Sequence, residues 1–241
     1  VAGLFPLTVL LNGEPVGEPG LELVVRAGDA DIESSIVLGH TAQCVVGEQL
    51  NLVLCLKDRY GNRTASGMLD VSVFVHGLAD VRGLLQDLEN GTVHVSLIAT
   101  VAGTYLFDIC LNGEPVRGGQ GLAVEVLPGV TDPANCKVSG SVLDRGTVID
   151  SAATFLIEAR DQYGNKRGKG ADDFVFALTG PAGVEHTFVS DNGDGTYTGI
   201  FTARVAGKYQ LLVLLGEQPI GAGTGAATGA AAAAAAVSGA V

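Results

Sequence analysis

The sequence predicts an all-β fold built from tandem β-sandwiches, and three observations support this prediction. Apolar and polar residues alternate in short runs, as in residues 197–202, and a period of two is typical of half-buried strands. Polar, Gly-rich turns separate these runs. The segment 191–207 (DNGDGTYTGIFTARVAG) has a counterpart 104 residues earlier, at 87–103 (DLENGTVHVSLIATVAG). A repeat of this length is the size of a domain, so we expect an array of like domains.

The first 28 residues predict the last two strands of a preceding repeat. Residues 4–11 and 21–25 form the expected strands, and Asn12-Gly13-Glu14-Pro15 joins them. The hexapeptide LNGEPV at residues 11–16 occurs again at 111–116, where the same two strands end the next repeat. Residues 1–28 are therefore predicted to be a hairpin separated from its own sandwich, and an isolated hairpin is only marginally stable in water.

Residues 29–127 predict a complete sandwich. Leu52, Leu54 and Leu56 share one parity, and Val71, Val73 and Val75 share another, so these residues are expected to face a core. Many short strands with a turn every 8–12 residues are typical of β-sandwiches. The predicted strands are residues 43–46, 50–57, 70–76, 81–86, 92–99, 105–111 and 122–127.

Residues 128–221 predict a second sandwich, which begins with a short linker at 128–133. Phe155, Ile157 and Ala159 repeat the inward parity of the first sandwich. The last strand is expected to be missing or degenerate, because the chain after Ile220 becomes a low-complexity Gly/Ala tail, residues 222–241. Seven consecutive alanines at 230–236 favour a frayed helix or disorder. We expect the N-terminal hairpin, or the tail near Ile220, to cover the exposed edge beside residues 209–215.

Composition excludes two classes of partner. With 14 basic and 26 acidic residues the net charge is −12, so the phosphates of nucleic acid would be repelled. Apart from the alanine tail, no apolar run approaches the 18 residues that membrane insertion requires. We therefore predict neither nucleic-acid binding nor membrane insertion.

No motif predicts catalysis, a metal or a cofactor. The turn at 191–195 has Gly193 where a calcium loop needs an oxygen ligand, and the Gly-rich segments at 164–170 and 221–225 lack the Lys-Ser/Thr of a phosphate-binding loop. His40, His76, His94 and His186 have neither ligand spacing nor a cysteine beside them. The prediction is a chain that is not an enzyme and has no cofactor.

The cysteines and two glycosylation sequons bear on the compartment. Cys55 and Cys110 lie between inward residues, so they should point outward from different sheets and should not form a disulfide. Free thiols at Cys44, Cys55, Cys110 and Cys136 would fit a reducing compartment. Asn62-Arg63-Thr64 and Asn90-Gly91-Thr92 are sequons that would matter in a secreted protein, although both asparagines also suit the turns that contain them. Glycosylation therefore stays open.

Several motifs of the second sandwich resemble those of the filamin-type immunoglobulin-like repeat. They are Asp161-Gln162-Tyr163-Gly164-Asn165, Leu178-Thr179-Gly180-Pro181, Asp191–Thr198, Ala206-Gly207-Lys208-Tyr209 and Gln218-Pro219-Ile220; the first sandwich resembles the family more loosely. The resemblance implies seven-stranded immunoglobulin-like sandwiches that serve as rod segments and docking modules. Filamins crosslink actin mainly through a calponin-homology pair, and nothing in this chain resembles one. Related repeats occur in extracellular adhesion proteins of gametes.

The resemblance also implies where partners dock. In filamin repeats a partner adds a strand alongside the third strand, in the groove that it forms with the fourth. Here these pairs are residues 71–76 with 81–86 and 174–179 with 184–189. The outward residues of the third strands are the predicted partner-binding residues: Ser72, Phe74, His76, Val175, Ala177 and Thr179.

The predicted function is a non-catalytic structural and interaction segment of a cytoplasmic, cytoskeletal rod. The actin cytoskeleton would be reached through domains outside this chain, and unpaired strand edges would allow homo-oligomers. One alternative is an extracellular, gamete-type adhesion protein built from the same module. A more remote alternative is an accessory sandwich of an enzyme.

Overall fold

The computed structural model describes residues 1–64, 70–79, 81–181, 184–221 and 233–238, and these residues are almost entirely strands and turns. The chain divides into two compact units, Val1–Val126 and Leu127–Val241. In the described part of the chain, no helix has the length and apolar character needed to cross a bilayer.

The N-terminal hairpin consists of β1 (Gly3–Leu11) and β2 (Glu14–Val25). Its turn uses Asn12 and Gly13 at φ values of 52° and 89°, a left-handed conformation that these two residue types tolerate. The strands pair antiparallel, with Phe5 opposite Leu23 and Leu11 opposite Glu14. Every residue of β1 is exposed, so the hairpin has no core of its own. The two predicted strands are confirmed, although β2 starts seven residues earlier than expected.

Nine strands in two sheets make up the described residues of the first sandwich. They are β3 (Ile36–Leu38), β4 (Gln43–Val45), β5 (Gln49–Cys55), β6 (Val71–His76), β7 (Arg82–Asp87), β8 (Thr92–Ile98), β9 (Gly103–Leu111), β10 (Glu114–Pro115) and β11 (Leu122–Leu127). One sheet has the order β3-β5-β8-β7. The other has the order β10-β9-β11-β4, and β6 also pairs with β9. All seven predicted strands are present. The sequence missed β3, which pairs with β5, and the two-residue β10, which pairs with β9. Strand β4 lies in the opposite sheet beside β11.

The core of the first sandwich follows the predicted parity. Leu52, Leu54 and Leu56 are at most 1% exposed, and they pack with Tyr105 and Phe107 of the opposite sheet. The inward valines of β6 pack against this core but are only partly buried. The third strand is therefore the open side of the sandwich.

The second sandwich repeats this arrangement. Its elements are β12 (Lys137–Ser139), α1 (Ser141–Arg145), β13 (Thr147–Val148), β14 (Ala152–Glu158), β15 (Phe174–Thr179), β16 (Val184–Asp191), β17 (Thr196–Ala203), β18 (Gly207–Leu215), β19 (Gln218–Pro219) and β20 (Ala233–Ser238). One sheet has the order β12-β14-β17-β16. The other has the order β13-β20-β18-β15, and β19 also pairs with β18. Phe155, Ile157 and Ala159 are buried as predicted.

Strand β20 lies where the last strand of the second sandwich was expected to be missing or degenerate, and it corrects the prediction that the alanines are helical or disordered, because Ala233–Ala236 are extended. Residues 233–238 pair antiparallel with β18, from Leu211↔Ala233 to Gly207↔Val237, and Val237 also pairs with Thr147 of β13. The edge of β18 offers unpaired backbone groups to any extended segment, so pairing does not depend on β-favouring side chains. The edge beside residues 209–215 is thus taken by residues well beyond Ile220. The rest of the tail, residues 222–232 and 239–241, lies outside the described residues.

Each sandwich has one hydrogen-bonded turn near its start, and the two turns are equivalent. The Asp58 carboxylate accepts hydrogen bonds from the backbone N–H groups of Tyr60 and Asn62, from the Asn62 side chain, and from the Gly28 N–H at 3.0 Å. Asp161 accepts the equivalent bonds in the second sandwich, including one from the Gly129 N–H at 2.9 Å. Each carboxylate therefore ties a turn to the segment that enters its own sandwich.

A buried tyrosine closes the other end of each sandwich. The Tyr105 hydroxyl donates to the Val101 carbonyl at 2.9 Å, and the Tyr209 hydroxyl donates to the Val205 carbonyl at 2.8 Å. Both side chains are fully buried. This contact four residues upstream is the tyrosine corner of immunoglobulin-like sandwiches, which places the fold in that class.

Candidate interaction groove

The candidate site of the first sandwich is the gap between β6 and β7, which end different sheets on the same side. Strand β6 pairs on one side with β9, from Val71↔Leu111 to His76↔Leu106. Strand β7 pairs on one side with β8. Within the described ranges no strand pairs with the second edge of either, so β6 keeps a row of backbone groups available for another strand.

An apolar cavity of about 210 Å³ opens in this gap. Strand β6 contributes Val73 and Val75 to it, and the opposite wall is built from β7, β8 and the preceding Val81. Leu85 pairs with buried Val95 and so lies on the inner face, yet it is 41% exposed. The two sheets therefore leave part of the core open to solvent at this position. The full lining is Val73, Val75, Val81, Gly83, Leu84, Leu85, Val95 and Leu97.

Gly83 gives the cavity much of its width. It pairs with buried Leu97 on the inner face of β7, and a Cβ added there would lie 2.9 Å from the Leu97 Cδ2. Its backbone φ is not in the left-handed region, so conformation does not require glycine at this position. A glycine inside a strand often marks a close approach by a ligand or another backbone.

The residues predicted to bind a partner lie on the other face of β6. Phe74 is 52% exposed and pairs with Asp108, and the Asp108 Oδ2 lies 3.6 Å from the His76 Nε2. Ser72 lies on the same face and pairs with Cys110. None of the three lines the cavity, and their role in binding stays a prediction. The alternating pattern placed Val73 and Val75 in the core alone. Gly83 was not predicted to take part in the site, although a glycine between Arg82 and Leu84 in a strand was a usable signal.

The second sandwich has the same edges with a different lining. Val175 is 45% exposed, and Ala177 and Thr179 follow it on the outward face of β15. The inward Phe176 packs edge-on against Phe155, with ring centroids 5.0 Å apart. The pairing of β16 with β17 is irregular between Glu185 and Phe188. At the repeat offset of 104 residues the counterpart of Gly83 is Thr187, so the second sandwich has a side chain where the first has a glycine. The aromatic side chain therefore occupies the inner side of β15 where the first sandwich has valines.

The titratable groups of the described residues form no metal site, and several of the cysteine thiols are buried. No group of three or more His, Cys, Asp and Glu residues there could hold a metal ion. Burial raises the pKa of Cys110 and of Cys136, whose Sγ donates to the Asp132 carbonyl at 3.3 Å. All four cysteines are free thiols. Cys55 and Cys110 lie outside the core cluster, as their predicted outward parity requires, but both are buried.

Comparison with known proteins identifies the second sandwich. Residues 130–223 match the family model of the filamin/ABP280 repeat. Filamin-C of Mus musculus is 28% identical over 156 residues, which is 64% of this chain and 5% of Filamin-C. The chain therefore spans a small fraction of that relative.

Solved structures agree on the fold. The Escherichia coli adhesin FdeC superposes with a TM-score of 0.61 at 20% identity, covering 99% of this chain and 74% of that structure. Invasin, a bacterial integrin-binding protein, superposes with a TM-score of 0.56 at 15% identity, covering 91% of this chain and 44% of that structure. At this identity the likeness extends to the fold alone. Filamin repeats are structural domains that mediate protein interactions, and residues 130–223 of this chain match a repeat of this type.

Proposed function

We propose that this chain is a non-catalytic segment of a filamin-like rod that docks protein partners by β-strand addition, with residues 29–127 and 128–221 as its repeats. The observation that carries the proposal is the unpaired edge of β6 beside an open apolar cavity. Backbone pairing along β6 supplies affinity, and side chains on alternate positions of the partner supply selectivity.

The partner that fits is an extended peptide with large apolar residues at every second position. Side chains of an added strand alternate between the two faces of the sheet. Those on the inner face would enter the cavity against Val75 and Leu85, and those on the outer face would lie beside Phe74. The predicted outward residues and the cavity residues would thus contact opposite sides of one strand. In the second sandwich, Val175 would have the role of Phe74.

The test is binding of a peptide selected from a random phage-displayed library against the whole chain. We expect Phe74→Lys, for a peptide bound to the first sandwich, or Val175→Lys, for one bound to the second, to weaken binding at least tenfold. Because these side chains are exposed, the melting temperature should change little. His94→Lys, at an exposed position on the opposite sheet, is the matched control. Unchanged binding in the lysine variant of the sandwich that holds the peptide would refute the placement.

A second variant tests the cavity itself. Gly83→Val adds bulk beside Leu97, and the flexible leucine side chain can move to accommodate it. We expect this variant to fold and to lose peptides that insert a large side chain into the first sandwich. Full binding by Gly83→Val would show that the inner face is not used.

The cellular setting that we propose is the cytoskeleton, by analogy with the Filamin-C match, with actin reached through other domains. The alternative is an extracellular adhesion protein, which the adhesin-like fold and one sequon favour. The Asn62 side chain donates to both Asp58 oxygens, whereas the Asn90 side chain is exposed in its turn. Expression through a secretory pathway, followed by mass spectrometry, should find glycan at Asn90 if the adhesion assignment is right. An unmodified Asn90 would favour the cytoskeletal one.

A further inference from the structure

The cavity between β6 and β7 lies where the second sandwich has an aromatic ring. In the first sandwich Val73 pairs with Ile109, which lies four residues after the corner tyrosine. In the second sandwich Phe176 pairs with Val213, again four residues after the corner tyrosine. Val73 and Phe176 are therefore equivalent inner positions of the third strand. Val73 lines the cavity, whereas Phe176 packs against the core of its own sandwich.

Three aromatic rings fill this part of the second core. Phe176 meets Phe155 edge-on at a centroid distance of 5.0 Å and lies 6.5 Å from the ring of Phe201. At the matching positions, 103 or 104 residues earlier, the first sandwich has smaller aliphatic residues: Leu52, Val73 and Leu97. Smaller core residues leave empty space unless their neighbours are correspondingly larger.

The neighbours compensate for one of these differences but not for the one at Val73. Phe155 pairs with Gly199, whereas Leu52 pairs with Val95, so a larger neighbour fills the space beside the leucine. Strand β7 offers no larger side chain to Val73, because it has a glycine at position 83, and the space stays open as the cavity.

The size of the cavity fits one aromatic ring. Its volume is about 210 Å³, and an apolar cavity of about 150 Å³ is large enough to bind benzene. The cavity lies beside the unpaired edge of β6, so a strand that pairs with this edge can direct a side chain into it. The first sandwich therefore has space for a ring that a partner could supply.

The far end of the gap is acidic. Residues 77–81 join β6 to β7 at one end, so Asp70 and Asp87 lie toward the other. Asp87 pairs with buried Val93, which places it on the inner face of β7, and Glu89 follows it in the next turn. Asp70, Asp87 and Glu89 are exposed, and no basic side chain in the described ranges forms an ion pair with them. Together with the net charge of −12, this end favours a basic partner.

We propose that the cavity is a receptor for one aromatic side chain of a basic, extended peptide, which supplies the ring that the first sandwich lacks. The ring would lie against Val73 and Leu85, and a basic residue two positions away, on the same face of the strand, would lie toward Asp87. In the second sandwich Phe176 already takes up the equivalent space, so a strand added at β15 would find no room for such a ring. The aromatic anchor requires strand addition along β6, so it rests on the proposed function.

The first experiment measures binding of three fluorescent peptides to the full chain. Their sequence is TVTXTKT, with phenylalanine, leucine or alanine at X. In the antiparallel arrangement, which is slightly the more stable, X lies beside Val73 and the lysine lies toward Asp87. We expect the phenylalanine peptide to bind at least tenfold more tightly than the alanine peptide, with the leucine peptide between them, because the ring buries the most apolar surface. Glutamate in place of lysine should weaken binding of the phenylalanine peptide at least threefold.

Variants that fill the cavity test the site from the side of the protein. Val73→Phe introduces the residue of the second sandwich, and the phenylalanine peptide should then bind no more tightly than the alanine peptide. Gly83→Val fills the same space from the opposite wall and should give the same result, which keeps the test decisive if Val73→Phe does not fold. The matched control is Val53→Phe on the outer face of β5, which should leave the tenfold preference unchanged.

Methyl NMR locates the ring. The phenylalanine peptide should shift the methyl resonances of Val73, Val75 and Leu85 and leave those of Ile157, in the second core, unchanged. The aromatic site is refuted if the phenylalanine and alanine peptides bind equally, if the preference survives both filling variants, if glutamate replaces lysine without loss, or if the shifts occur in the second sandwich instead. In each of these cases strand addition itself still stands, whereas failure of all three peptides to bind would also overturn the proposed function.

Discussion

At the scale of single residues, two buried carboxylates, Asp58 and Asp161, show how a short sequence motif forms a defined turn. Asp58 is 2% exposed and Asp161 is fully buried, and each is surrounded by N–H donors from its own turn. For Asp58 the Asn62 side-chain hydrogen bond is the largest influence, and with the backbone bonds it lowers the pKa from 3.8 to about 2. For Asp161 burial alone would raise the pKa, but bonds from Asn165, Gly129 and Tyr163 together lower it. The repeated Asp-x-Tyr-Gly-Asn motif is thus a hydrogen-bonded unit.

The Asp58 site predicts loss of stability in acid. A carboxyl whose pKa is lower in the folded state stabilises the fold at pH values above its unfolded pKa, and this contribution is lost as the pH falls through the folded pKa. For Asp58 the loss falls between pH 3.8 and about 2. The check is the ¹³C chemical shift of the Asp58 carboxyl, which should titrate near pH 2 in the wild type and at a higher pH in Asn62→Ala. A wild-type midpoint near 3.8 would contradict the assignment.

Gly77 and Gly180 lie against the two buried corner tyrosines. A Cβ at Gly77 would lie 2.2 Å from the Tyr105 Cδ1, and a Cβ at Gly180 would meet Tyr209 at the same distance. Gly77→Ala should therefore destabilise the first sandwich by about 1–3 kcal/mol through overpacking. Gly168→Ala is the control, because a Cβ there meets nothing within 4 Å. Chemical denaturation measures both variants, and equal stabilities would show that the tyrosine ring can move aside.

At the scale of strands and turns, sequence patterns predicted the elements whose side chains define them. Alternation located the seven strands of the first sandwich because one face of each strand is apolar. It missed β3. The chain here forms two short strands, β3 and β4, in different sheets, and this division depends on backbone geometry rather than on a second apolar pattern. It also missed β20, where the edge of β18 outweighs the helix preference of alanine.

The groove was predicted in part for a related reason. Parity correctly separated the inward Val73 and Val75 from the outward Phe74. Parity along one strand does not reveal whether the inner face is covered, because that depends on the distance between two sheets. The open cavity could therefore be recognised only from the position of β7 at the end of the opposite sheet.

The burial of the four cysteines predicts their reactivity. Cys55, Cys110 and Cys136 are buried, whereas Cys44 is partly exposed. Burial raises the pKa of Cys44, so its reaction with a thiol reagent should be slow at neutral pH, but faster than that of the other three. After denaturation without reductant all four thiols should react. A native count above one at early times, or a denatured count of two or fewer, would contradict this assignment.

At the scale of the whole chain, the two units have separate cores. Leu54 and Ile157 are both fully buried, one in each core. We expect Leu54→Ala and Ile157→Ala each to cost about 2–5 kcal/mol in their own unit. Amide hydrogen exchange should show faster exchange in Val1–Val126 for the first variant and in Leu127–Val241 for the second. Faster exchange throughout the chain in either variant would mean that the two units unfold together.

The parallel pairing of β13 with β20 has a mechanical consequence. Because the two strands run in the same direction, tension between the chain entering β13 and the chain leaving β20 would slide them lengthwise and load their bonds together. Among the described residues, two pairs join them, Thr147↔Val237 and Val148↔Ser238. The resistance of a protein to pulling depends on its rate of unfolding under load. A pairing of only two residue pairs should therefore break at low force. Under tension the pairing of β13 with β20 would therefore break before the five residue pairs, Gly207↔Val237 to Leu211↔Ala233, that hold β20 on β18.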